Sequence, residues 1–103
     1  LYFPLRFSHI ERLSNFAVPV ICRSQKIRDA LVKACDGKVE IRPVVGGDMT
    51  KQPFFRHYQK KSIKTSTKNA ELVHTQGLYF GNNPELSKKE MDTIVKIFTK
   101  IIV

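Results

Sequence analysis

Among the residues whose types could do chemistry, the stretch Ile41 to Phe55, IRPVVGGDMTKQPFF, is the densest. It opens as an apolar strand, turns through Gly46-Gly47 and then offers Asp48, Lys51 and Gln52 ahead of Pro53. An apolar strand, a glycine turn and convergent polar groups make the rim of a ligand pocket. Arg42 sits between apolar strand residues, so its planar fork must reach solvent or find a phosphate or carboxylate. The Gly46-Gly47 pair lets backbone approach a ligand closely, or only makes the turn. Asn82-Asn83-Pro84 follows another apolar run and either presents amides to a ligand or satisfies its own turn. His57 lies among aromatics, where an imidazole packs or hydrogen-bonds more often than it catalyses. His74 is a weaker candidate, and His9 has nothing around it to recommend it.

No complete catalytic constellation is present. The chain has no HExxH, GxSxG, GxxxxGK[ST] or CxxC, and its three histidines lack metal-ligand spacing. Cys22 falls in an apolar run and Cys35 on the apolar face of a helix. Such positions suit buried thiols in a reducing cytoplasm, with a disulfide between them left open.

These residues need elements to hold them. Phe16 to Arg23 is continuous and β-branched, and reads as a strand whose Pro19 places it near an edge or bulge. Ser24 caps a helix with Ile27, Ala30, Leu31, Ala34 and Cys35 on one face, ended by Asp36-Gly37. Val39 to Val45 is a second strand, again carrying a proline, Pro43. Pro53 opens a short aromatic helix, QPFFRHYQ. A further short helix, capped by Thr67 or Asn69, stops at Gly77, and Leu78 to Phe80 is the third strand. Ser87-x-x-Glu90 is a capping box. The helix behind it carries Met91, Ile94, Val95, Phe98, Ile101 and Ile102 as one apolar stripe. The expected fold class is α+β, a small and mostly antiparallel sheet with helices packed on one face.

At 103 residues the chain is one domain, residues 1–103, with 42% hydrophobic and 26% charged residues, the balance of a globular protein. No apolar run approaches the roughly 20 residues that span a bilayer. The opening LYFPLRF has no signal-peptide pattern and reads as if cut from a longer chain. A net charge of +9 raises nucleic acid or an anionic membrane as partners, yet the basic residues cluster only at Lys60, Lys61, Lys64 and Lys68, in a Ser/Thr segment that reads as a solvated loop.

Two segments together, IRPVVGGDMTKQPFF and HTQGLYFGNNPELSKKEMDTIV, resemble the C-terminal end of DegT-type nucleotide-sugar aminotransferases, with the sugar 3-dehydratase and perosamine-synthase-like branch the nearer match. FAVPVICRSQKIRDALVKACDG is similar to the family's strand and helix just upstream, so the resemblance runs from Phe16 to Val103. It implies the C-terminal small domain of a pyridoxal-phosphate enzyme of fold type I, from a cytoplasmic homodimer acting in deoxy- or amino-sugar biosynthesis for surface polysaccharide. It places the cofactor's lysine or histidine, its pyridinium partner and most phosphate contacts in a separate large domain, so this chain alone is expected to carry no catalytic residue, bind no metal and be inactive. The small domain would lend one wall of the nucleotide-sugar site. Arg42, Gly47, Asp48, Gln52 and Asn82 fall at that wall by position, with His57 a possible addition. Asp48 stands where the family usually has asparagine, and a carboxylate repels phosphate. Two other readings are a basic module binding nucleic acid through the lysine loop with Phe54, Phe55 and Tyr58, and a non-catalytic dimerisation domain. Arg42, the glycine turn, Gln52 and Asn82 are expected to gather on one edge, near the ends of strands two and three.

Overall fold

The computed structural model describes residues 1–6, 9, 12–58 and 66–101. Lys60, Lys61 and Lys64 of the basic segment and Ile102 of the last apolar stripe lie outside the described residues. The order is β1 (Ala17–Ile21), α1 (Gln25–Cys35), β2 (Ile41–Pro43), two 3₁₀ turns (Met49–Lys51 and Pro53–His57), α2 (Lys68–Gln76), β3 (Gly77–Gly81) and α3 (Lys88–Thr99).

The three strands form one antiparallel sheet in the order β1-β3-β2. Proline chemistry explains the order. Pro19 lies in β1 and Pro43 in β2, and a residue without an N–H is tolerated on an edge strand. The proline-free strand β3 takes the centre, where both of its edges are bonded. Tyr79 stands opposite both Pro19 and Arg42, and Leu78 opposite both Val20 and Pro43. Helix α2 runs into β3 without a loop. Gly77 makes that junction possible, since a Cβ there would meet the Val73 carbonyl at 2.4 Å.

Alternation along β3 separates its faces. Leu78 and Phe80 point to the side covered by α1 and α3, and Tyr79 to the other. Cys22, Leu31, Cys35 and Leu78 are the fully buried hydrophobic residues among those described. Val20, Ile27, Ile41, Ile97, Phe98 and Ile101 pack against them. Both cysteines are free thiols, and burial pushes both thiols up in pKa. The N-terminal segment extends the sheet briefly. Tyr2 bridges to Cys22, and its hydroxyl donates to the Phe98 carbonyl at 2.8 Å. Burial pushes the Tyr2 phenol up to about 12.

The helix ends follow the sequence. Ser24 accepts from the Ile27 N–H at 3.2 Å, and Gly37 takes φ +67° just past α1. Ser87 and Glu90 form the reciprocal capping box of α3, with Ser87 N–H donating to Glu90 Oε2 at 2.7 Å. The apolar stripe of α3 is narrower than expected. Ile94, Ile97, Phe98 and Ile101 are half-buried, whereas Met91 and Val95 are 49% and 59% exposed. Val95 follows Ile94 by one residue, about 100° around the helix, and a three-stranded sheet is too small to cover both.

Candidate functional site

The chain leaves β2 into a tight turn. Gly47 N–H closes on the Val44 carbonyl at 2.9 Å, with Val45 at φ +41° and Gly47 at φ +62°. Glycine accepts that region freely, but a β-branched residue does not. Val45 is therefore strained, and it stands 89% exposed at the tip.

Three side chains hold this turn from below. Gln52 donates its Nε2 to the Gly46 carbonyl at 2.7 Å. His74, on α2, accepts the Asp48 N–H at Nδ1 over 3.1 Å. Gly47 lies so close to that ring that a Cβ would stand 2.1 Å from Nδ1. Asp48 is 1% exposed, and its Oδ1 accepts from the Thr50 hydroxyl at 2.7 Å and the Thr50 N–H at 3.0 Å, capping the first 3₁₀ turn. Beside the cluster, Lys51 pairs with Glu71 at 2.7 Å, tying the first 3₁₀ turn to α2.

The Thr50 hydroxyl holds the Asp48 carboxyl below its ordinary range; burial opposes this, while the Thr50 amide, Lys51 and His74 reinforce it. Glu90 is lowered in the same way, first by the Ser87 hydroxyl. A carboxylate whose folded pKa is depressed adds stability that is present above its unfolded pKa and lost as pH falls through the folded value. Stability is thus expected to fall as the solution is acidified below the ordinary carboxylate range of about 4. Asp48→Asn, which keeps an acceptor for Thr50, is expected to flatten that slope. Urea midpoints measured from pH 7 to pH 2 check this, and an unchanged slope contradicts it.

The expected gathering of Arg42, the glycine turn, Gln52 and Asn82 on one edge does not occur. In an antiparallel pair the end of one strand lies beside the start of the next. The turn after β2 therefore lies at the Gly77 end of β3, and Asn82 follows its far end. Asn82 donates Nδ2 to the Asn15 carbonyl at 2.8 Å and its N–H to the Phe16 carbonyl at 3.0 Å, tying β3 to the start of β1. Gly47, Asp48 and Gln52 do meet, with the Asp48 carboxylate turned inward rather than toward a ligand. His57 is exposed at the end of the second 3₁₀ turn.

Arg42 belongs to a second feature. It is exposed, donates Nε to Glu40 Oε1 at 2.8 Å and also bonds the same oxygen through Nη2. Glu40, and secondarily Tyr79, raise its pKa further. It lines a groove of about 880 Å³ between β2, the end of β3 and the start of α3, together with Phe16, Lys38, Tyr79, Asn83 and Lys89. The sequence singled out Asn83 beside Asn82, but it gave no sign that Phe16 and Tyr79 share a groove with it, and it ranked His74 low. Strand alternation at Tyr79 was the one local signal, since the other pairings span long stretches of chain.

Among the described residues no cluster of His, Cys, Asp and Glu could hold a metal ion, and no helix is long and apolar enough to cross a membrane. Comparisons with protein-family models, with curated proteins and with solved structures return no match.

Proposed function

We propose that this chain is the small C-terminal domain of a pyridoxal-phosphate-dependent enzyme acting on a nucleotide sugar, either an aminotransferase or a 3-dehydratase, and that the Val44–Gln52 turn is its contribution to the substrate site. The carrying observation is the turn itself. A strained, exposed Val45 is held in place by Gln52, His74 and the Asp48 cap. Strain that is kept and over-determined by its surroundings concentrates at binding sites. The α+β fold with helices on one face, and the order of segments that resembles the DegT-type enzymes, support the same reading.

The described residues do not fit the cofactor. Every described lysine is exposed, and the one buried carboxylate is bonded to Thr50. In this reading the cofactor and the proton transfers belong to the large domain of a parent chain, in a cytoplasmic homodimer, and this domain orients substrate and excludes water. Two buried free thiols suit a reducing compartment.

The test is the parent enzyme supplied with pyridoxal phosphate, an amino donor and a nucleotide-linked keto-sugar. The expected product is the amino sugar, or the 3-deoxy sugar. A parent without a cofactor-binding domain, or one that leaves every such sugar unchanged, overturns the proposal.

A further inference from the structure

His74 and Asp48 meet twice beneath the turn after β2. The Asp48 N–H donates to His74 Nδ1 at 3.1 Å, and the Asp48 carboxylate lies close enough to feel the charge of the ring. That carboxylate is 1% exposed. Its Oδ1 is taken by Thr50, while its Oδ2 is buried with no hydrogen-bond partner among the described residues. A buried acceptor left unpaired costs free energy, so a donor that reaches it is favoured. The His74 ring is half-buried, and protons reach it from solvent.

A ring nitrogen accepts an N–H only while it carries no proton. Once protonated it is itself a donor, and the Asp48 N–H loses its partner. The imidazolium then stands beside a carboxylate with an unused oxygen, which attracts it. Other charges near the ring are few. Lys51, from the 3₁₀ turn, is paired with Glu71 of α2. Strand β3 carries no charged residue, and Arg28 of α1, the helix also packed against α2, is paired with Asp29. Asp48 is therefore the anion left for a protonated His74. Two features make the turn sensitive to the ring. Gly47 is pressed against it with no room for a side chain, and Val45 holds backbone strain at φ +41°.

We propose that His74 is a proton-operated latch on the turn after β2: the neutral ring pins Asp48 by its backbone, and the protonated ring releases that N–H and turns to the Asp48 carboxylate, freeing the Gly47–Asp48 end of the turn. Gln52 does not titrate and keeps its bond to the Gly46 carbonyl, so the other end stays held. The latch rests on these bonds alone and stands whether or not the parent enzyme modifies sugars.

The test follows amide and histidine-ring chemical shifts of this 103-residue chain between about pH 8 and pH 5, the span in which imidazoles change charge. Thr50 holds the Asp48 carboxyl below its ordinary range, so that group stays ionised throughout. The Gly47 and Asp48 amides are expected to move with the same midpoint as the His74 ring. Asp48 amide exchange, corrected for pH, should become about tenfold faster, the scale of one lost hydrogen bond. The Gln52 side-chain amide should stay in place. His74→Asn sets a non-titrating acceptor near the position of Nδ1 and should hold the Asp48 amide still across the range. Asp48→Asn removes the anion and should move the His74 midpoint to lower pH. An Asp48 amide that stays still while His74 titrates would overturn the proposal, and this titration of the unaltered chain decides even where a variant does not fold. An unchanged Asp48 response in His74→Asn, or an unmoved His74 midpoint in Asp48→Asn, would overturn it as well.

Discussion

Gly47→Ala is expected to destabilise the domain by about 2–4 kcal/mol, the sum of left-handed backbone strain and loss of the His74 bond. The residue sits at φ +62°, and an added Cβ would stand 2.1 Å from the His74 ring nitrogen. The ring cannot withdraw without releasing the Asp48 N–H. Gly37 supplies the control, because it has φ +67° but nothing within 4 Å of the added carbon. Gly37→Ala should therefore cost only the backbone part, about 1–2 kcal/mol. For a domain of this size each kcal/mol lowers Tm by roughly 4–8 °C, so thermal unfolding separates the two variants. Equal losses would show that the His74 contact contributes nothing.

Leu31→Ala is expected to cost about 2.7–5.0 kcal/mol through lost burial and the cavity left behind. Leu31 is 0% exposed and shares the small core with Cys22, Cys35 and Leu78. That loss is a large part of the roughly 5–15 kcal/mol by which domains are stable. Phe98→Ala is expected to fall short of the figure of about 3–5 kcal/mol for a fully buried phenylalanine, because Phe98 is only half-buried against Phe80 and Tyr2. Val32→Ala, on the exposed side of α1, should stay within about 0.5 kcal/mol. Urea unfolding with a constant m-value ranks the three, and Val32→Ala costing as much as Leu31→Ala would refute this placement of the core.

What local chemistry specifies was legible in the residues. Ser24, Gly37 and the Ser87–Glu90 box mark helix ends through bonds within a few residues, and each lies where its pattern put it. Pro19 and Pro43 placed their strands at edges for want of an N–H. What depends on pairing across the chain was not legible. Asn82 was expected beside the glycine turn because both follow strands, but antiparallel pairing sends the two strand ends apart. His74 reaches Asp48 over 26 positions, and the groove joins Phe16, Arg42 and Tyr79 from three strands or their approaches. Met91 and Val95 fall on the apolar stripe that helical spacing reads as core, yet they are 49% and 59% exposed.

The central claim is that the turn after β2 forms part of a nucleotide-sugar site. Gln52→Ala removes the bond that holds the Gly46 carbonyl, and His74→Ala releases the Asp48 N–H, so each loosens the turn itself. The most direct measurement is calorimetric titration of the parent enzyme and these two variants with its nucleotide sugar. Both variants are expected to bind about tenfold more weakly, the scale of one lost bond to a charged or desolvated group. Unchanged affinity in both would contradict the claim.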